Sequence, residues 1–356
     1  MSSPSRTQPL SGTCRITRLC GLLASLTLGL APQAQAGMFN PKTSMDEWTE
    51  RKVDQDFVLP KGWLKVAVDA DFKHSTSYRD SGGFLNSYDD ETAWDYGQLW
   101  LRIDQGFSSR VRLYAHVPMV WASLRVDDDH RTTTRAMGDV HTGMWLQPWR
   151  EQGPVKPSSA ALQLDLKAPS GVEWPSDLIG GGANTESFLT GTGVPNLGAH
   201  LHGRTTVGAS IGLAGSIGYV RKFPVVVGYV IEQGGFGNGW INPGDELLVT
   251  GRGLFQATDD LAAGPNLSFS RRGTYAMGTS GSSPTGVVLE DIADSDGTFT
   301  DVGLTASWSP GSHWEVNLDL GAQLLGSDTR TFAHLGLEEF SPQPGVTTGL
   351  EVAARW

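Results

Sequence analysis

WLKVAVDADFKH, positions 63–74, alternates without a break over most of its length. Leu64, Val66, Val68, Ala70 and Phe72 share one parity, and Lys65, Asp69, Asp71 and Lys73 share the other. Side chains of an extended strand point alternately to opposite faces, so this stretch has one apolar and one charged face. A helix would repeat nearer every 3.6 residues, and a strand buried on both sides would be apolar throughout. WEVNLDLGAQL at 314–324 repeats the pattern, with Trp314, Val316, Leu318, Leu320, Ala322 and Leu324 against Glu315, Asn317, Asp319 and Gln323. Long strands with one apolar and one ionic face fit a wall with lipid on one side and water on the other.

Further strands are predicted at 96–105, 110–126, 137–149, 159–169, 195–205, 211–221, 245–257, 263–275, 297–308 and 347–356. With the first two they make 12. The connections alternate in length. Those at 106–109, 150–158, 206–210, 258–262 and 309–313 are short, whereas 75–95, 170–194, 222–244, 276–296 and 325–346 are long and rich in Gly, Asp, Ser and Pro; 127–136 is the brief exception. Bacterial outer-membrane barrels have short periplasmic turns and long external loops. The expected fold is all-β: a transmembrane antiparallel β-barrel over 61–356, of 12 strands within a range of 10–14, with both termini periplasmic. No apolar stretch in the chain is long enough for a spanning helix.

The first 36 residues read as an address. Arg6, Arg15 and Arg18 form a positive start, LCGLLASLTLGL at 19–30 is an apolar run too short to span a bilayer, and Ala34-Gln35-Ala36 is a small-x-small cleavage pattern. Cys20 is preceded by Thr17-Arg18-Leu19, which does not suit a lipoprotein signal. Cleavage after Ala36 removes Cys14 and Cys20 and leaves 24 basic and 38 acidic residues, a net charge of −14. Such a surface disfavours nucleic acid as a partner and suits an acidic exterior among the outer-membrane lipid and lipopolysaccharide of a Gram-negative cell.

Trp63, Trp149, Trp308, Trp314 and Trp356 fall at the expected periplasmic strand ends and predict an aromatic girdle at headgroup level. GLEVAARW at 349–356 alternates up to a terminal aromatic, so Trp356 is expected to be the signal read by the barrel-assembly machinery. The charged parity supplies the expected lumen lining: Lys65, Asp69, Asp71, Lys73, Arg102, Asp104, Arg112, Asp165, Lys167, Arg204, Arg252, Asp301, Glu315, Asp319, Glu351 and Arg355. In so narrow a lumen most of these should pair across neighbouring strands and hold the wall, with selectivity as the lesser role. Residues 37–60 are polar, with a short helix predicted at 44–53, and read as a periplasmic segment or a lumen plug.

No catalytic residue, cofactor or metal site is expected. His200 and His202 share a strand face, but no third ligand is identifiable and such pairs are more often polar lining. Asp127-Asp128-Asp129-His130 is reminiscent of outer-membrane surface proteases, which draw their carboxylates from several loops; a solvated, cation-binding loop is the plainer reading. No H-x-S-N-G run of the kind found in barrel phospholipases is present.

Several runs resemble the outer-membrane channels associated with the meta-pathway of phenol degradation, distant relatives of aromatic and fatty-acid uptake barrels. VRLYAHVPMVW at 111–121 resembles their strand ending in a Val-Pro-aromatic step, and MGDV at 137–140 their Gly-Asp-aliphatic opening of the next strand. LQLDLKAPSG at 162–171 is similar to their strand closing in Lys-x-Pro-Thr-Gly, with Ser170 in place of Thr; GTGVPNLGAHLHG at 191–203 resembles the glycine-rich entry that follows. The resemblance covers about 110–210. It implies a barrel that moves small, often aromatic or apolar, molecules. The expected function is therefore a passive pore for uptake or efflux of a small-molecule solute. A structural or adhesive barrel without transport and a barrel-embedded hydrolase are the alternatives.

Overall fold

The computed structural model describes residues 52–53, 55–79, 85–87, 93–125, 131–150, 158–170, 194–208, 210–231, 235–242, 244–274, 276–279, 290–291, 296–311, 313–327 and 346–356. Its main body is one closed, wholly antiparallel wall of 12 strand positions. These are β1 (Leu64–Ser75), β2 (Ala93–Ser108), β3 (Val111–Arg125), β4 (Arg131–Met137 and Val140–Arg150) and β5 (Ser158–Ala168). They continue through β6 (Asn196–Val207), β7 (Ile211–Lys222), β8 (Glu246–Gln256) and β9 (Leu261–Arg272). The last three are β10 (Gly297–Trp308), β11 (Trp314–Ser327) and β12 (Val346–Arg355). Each strand pairs with its neighbour in sequence, and β1 closes the ring by pairing with β2 on one side and β12 on the other. The closing seam runs from Lys65 opposite Arg355 to His74 opposite Val346. Leu64 N–H donates to Trp356 O at 2.9 Å and Trp356 N–H returns to Leu64 O at 3.0 Å, so the last residue locks the first strand. Closure leaves no barrel edge unpaired, which a sheet in lipid requires.

The register turns the alternation into an inside and an outside. Lys65 faces Asp104 across β1–β2, and Asp69 faces Glu351 across β1–β12, so the charged parities of neighbouring strands meet on one surface. On the other surface Val68, Leu201 and Leu304 are 45%, 57% and 61% exposed, whereas Asp69, Glu315 and Arg355 on the inner one are 7%, 7% and 2% exposed. A water-soluble protein has the opposite arrangement.

Three features depart from the sequence reading. Trp63 does not join an outer girdle: it is fully buried, while Trp149, Trp308, Trp314 and Trp356 are about half exposed. Its parity is that of Lys65, and it follows a turn through Gly62 (φ 87°) in which its N–H donates to Pro60 O at 3.1 Å. β4 begins at Arg131, before the predicted start, because Gly138-Asp139 interrupts a strand instead of opening one. Opposite the interruption lies Pro118, which has no N–H to give; its carbonyl accepts from Gly138 N–H at 2.8 Å and so carries the pairing across the gap. Finally, the long connections contain strands of their own. Val225–Ile231, Gly235–Asn242, Ala276–Thr279 and Glu290–Asp291 form a separate four-stranded sheet, and Ser77–Arg79 pairs with Leu85–Ser87. VVVGYVI at 225–231 carried that β-branched signal in the sequence. The short β6–β7 turn, which shows no strong turn residue beyond glycine, is made by Gly208 at φ 64°.

Candidate functional site

Within the described chain, all 16 residues expected to line a lumen lie on the parity that meets across strands away from the apolar surface. Most are tied to a partner. Arg102 bridges Asp69 (2.6 Å) and Glu351 (2.9 Å), and Lys65 lies 3.0 Å from Glu351 and 3.5 Å from Glu315, which also binds Arg355. Arg112 approaches Asp104 at 3.6 Å, Lys167 approaches Asp139 at 3.2 Å, and Asp301 accepts from Ser268 Oγ at 2.9 Å. Charges held away from bulk water are costly unless paired in this way.

The histidine pair is used by the wall itself. His200 Nε2 lies 3.1 Å from Asp165 Oδ2 and His202 Nε2 lies 2.9 Å from Gln163 Oε1, both partners on β5. Among the described residues no group of three or more His, Cys, Asp or Glu is arranged to hold a metal ion. Asp127–His130, residues 44–51 of the helix predicted at 44–53, and the first 36 residues lie outside the described residues.

The residues immediately before β1 contribute what the sequence reading did not resolve. Residues 52–53 and 55–60 lie against the inner surface at the end with the short connections. Lys52 Nζ pairs with Glu315 at 2.9 Å, Thr206 Oγ1 donates to Val53 O at 3.0 Å, and Val53 N–H donates to Gln256 Oε1 at 3.4 Å. Gln147 Nε2 donates to Asp56 Oδ1 at 3.3 Å, with Arg204 3.8 Å from the same carboxylate. The Phe57 ring stacks on Trp145 (5.8 Å) and lies under Arg204. Two inward glycines form the seat. A Cβ on Gly212 would stand 2.8 Å from Val53 Cα, and one on Gly106 would stand 1.9 Å from Pro60 O. Both clashes are with backbone, so only glycine admits the segment this closely. Glycine on the polar parity near a strand end was the available signal for this seat.

Above the segment lies a cavity of about 510 Å³. Its lining is polar: Asp69, Asp71, Arg102, Arg252, Asp319 and Glu351 border it, with Asp56 and Phe57 at its floor. Toward β2–β6 the inner surface is ring-rich, with Trp145 against His202 (4.3 Å), Tyr114 against His116 (4.6 Å) and Arg112 over Trp145 (4.6 Å). A polar, ion-paired interior inside a closed antiparallel wall with an apolar exterior is what a bilayer-spanning strand protein must have.

The fold is an outer-membrane β-barrel. The crystal structure of an outer membrane channel from Pseudomonas putida F1 superposes with a TM-score of 0.63 at 12% identity, covering 86% of this chain and 98% of that one. The translocator domain of the autotransporter NalP from Neisseria meningitidis matches with a TM-score of 0.41 and 10% identity over 95% and 98% of the two chains. The toluene transporter TodX of Pseudomonas putida matches with 0.38 and 10% over 82% and 87%. No protein-family model and no curated protein sequence matches the chain. At such identities the first likeness establishes the architecture of the barrel, and the chemistry of its interior has to be argued from its own residues.

Proposed function

We propose that this barrel is a passive outer-membrane channel for small solutes, closed at its periplasmic end by residues 52–60. The observation that carries the reading is the polar cavity of about 510 Å³ inside the wall, with a separate peptide segment, not barrel side chains, as its floor. A barrel serving only as scaffold or adhesin has no need of a glycine seat for a removable segment. Barrels of about 8 strands are filled by their own side chains and those of about 16 hold open channels; 12 lies between, which suits a narrow lumen that one short segment can close. The likeness of the barrel to an outer membrane channel of Pseudomonas putida F1 agrees with passage of small molecules.

The same reading assigns sides and partners. The short connections face the periplasm and the long ones the exterior. Residues 1–36 are a signal peptide cleaved after Ala36, Trp356 is read by the assembly machinery, and the acidic exterior sits among lipopolysaccharide. The 16 inner charged residues serve chiefly as wall. The deciding experiment is conductance in planar bilayers and solute entry into liposomes, for full-length protein and for a variant lacking 37–60. Full-length protein should conduct weakly, and the deletion should raise conductance severalfold with the barrel still folded. If both are electrically silent and exclude small solutes, the channel reading is wrong.

A further inference from the structure

The cavity's charges fall into two groups. Lys52, Asp56, Asp69, Arg102, Arg112, Arg204, Glu315 and Glu351 each have an ion-pair partner in the wall or in the seated segment. Arg252 and Asp319 have neither an ion pair nor a side-chain hydrogen bond among the described residues, and both are exposed to the lumen. Asp71 has no ion pair among the described residues; Arg102, already held by Asp69 and Glu351, and Lys73 are the cations within its electrostatic reach. These three are not scattered. Asp71 and Asp319 flank Gly349, whose absent Cβ would stand 3.0 Å from Asp71 Oδ1 and 3.5 Å from Asp319 Cβ. Arg252 stands on β8, separated from Asp319 on β11 by two strands, and Asp319 is the charged group within its electrostatic reach. The intervening wall is low: Thr305 and Ser307 border the cavity, and Gly303 takes the next inward position.

We infer that the open part of the lumen is a zwitterion-selecting constriction, in which Arg252 receives a carboxylate while Asp71 and Asp319 receive an ammonium group. This rests on the channel reading and names its solute class. A single cation or anion is attracted by one side of such a field and repelled by the other, so neither sign gains. A small solute carrying both charges a few ångströms apart can satisfy both sides at once. It also leaves no desolvated charge unmatched, the condition that governs transit of polar groups through a confined site. The eight paired residues can bind the solute only by giving up a bridge they already hold. Selectivity is therefore concentrated in three residues, although many charges line the lumen.

Liposome swelling with β-alanine, compared with a neutral solute of similar size, is the test, run on full-length protein and in a Gly212→Val background that unseats the segment. β-Alanine should enter severalfold faster than the neutral solute. Arg252→Gln should abolish that advantage and turn the reversal potential in a KCl gradient toward cations, Asp319→Asn should turn it toward anions, and Arg252→Lys should restore the wild-type ratio. Equal entry of the two solutes in wild type, or an unchanged ratio in Arg252→Gln, overturns the inference while conductance still stands. Absence of any solute entry in both backgrounds overturns the channel reading and the inference with it.

Discussion

Gly212→Val tests whether the 52–60 segment closes the lumen. The new Cβ would stand 2.8 Å from Val53 Cα, 2.9 Å from its carbonyl oxygen and 3.0 Å from its Cβ. Two of these three atoms are backbone, so no rotamer change relieves the clash and the segment must lift. Lifting exposes the Val53 side chain, now 1% exposed, at a cost of about 2 kcal/mol. It also breaks the 3.0 Å bond from Thr206 to Val53 O, worth about 1 kcal/mol. The Lys52–Glu315 bridge adds little to the difference. Lys52 regains water, and Glu315 keeps Lys65 and Arg355. A seat weakened by about 3 kcal/mol opens roughly a hundredfold more often, at about 1.4 kcal/mol per decade. Single-channel recording should show open probability rising by about that factor until it saturates. Gly251→Val, on β8 where an added Cβ meets nothing within 4 Å, should leave gating unchanged. Both proteins should keep the heat-modifiable mobility of a folded barrel. A folded Gly212→Val that gates like wild type, or a Gly251→Val that opens equally, would refute the assignment of 52–60 as the closing segment.

Deleting Trp356 removes both seam bonds to Leu64 along with the expected assembly signal, so insertion should slow at least severalfold, read as the heat-modifiable fraction in a pulse-chase; insertion at the wild-type rate refutes it. Cysteine at Thr274, beyond the outer end of β9, should react with an impermeant maleimide on intact cells, and cysteine at Thr258, in the β8–β9 turn, should not; the reverse pattern inverts the topology. Asp260, in that same turn, accepts a hydrogen bond from the Thr258 hydroxyl (2.6 Å) and another from the Trp308 indole (3.1 Å), which hold its carboxyl below the ordinary range. A carboxylate whose folded value is depressed adds stability above its unfolded value near 4, and that stability is lost as pH falls through the folded value. Asp260→Asn should therefore flatten the loss of thermal stability on acidification between about pH 4 and the lower folded value, and an unchanged slope counts against the contact.

Strand identity was legible because a strand's two faces are fixed by consecutive residues. Trp63–His74 and Trp314–Leu324 announce an apolar and an ionic face with no help from elsewhere in the chain. The sidedness of Trp63 was legible too, since it shares the parity of Lys65, although its position at a strand end suggested the girdle instead. The β4 interruption was less accessible, because Gly138-Asp139 reads as a boundary until Pro118 is seen opposite it.

The interior is different in kind. Which charges pair depends on registers that accumulate around the ring. Arg102 meets Glu351, 249 residues away, only because β1 stands between β2 and β12 at the closing seam. Lys52 and Asp56 sit in a polar segment that the sequence leaves open between the periplasm and the lumen, and only closure brings Glu315 and Arg204 to them. Local sequence therefore determined that this chain makes a barrel with a charged inside and an apolar outside, since the period of a strand is a property of neighbouring residues. Only the closed tertiary structure decided which charges cancel, which glycines seat the leading segment, and that Arg252, Asp71 and Asp319 are left facing open space. Those outcomes depend on distances between strands that the linear order does not contain.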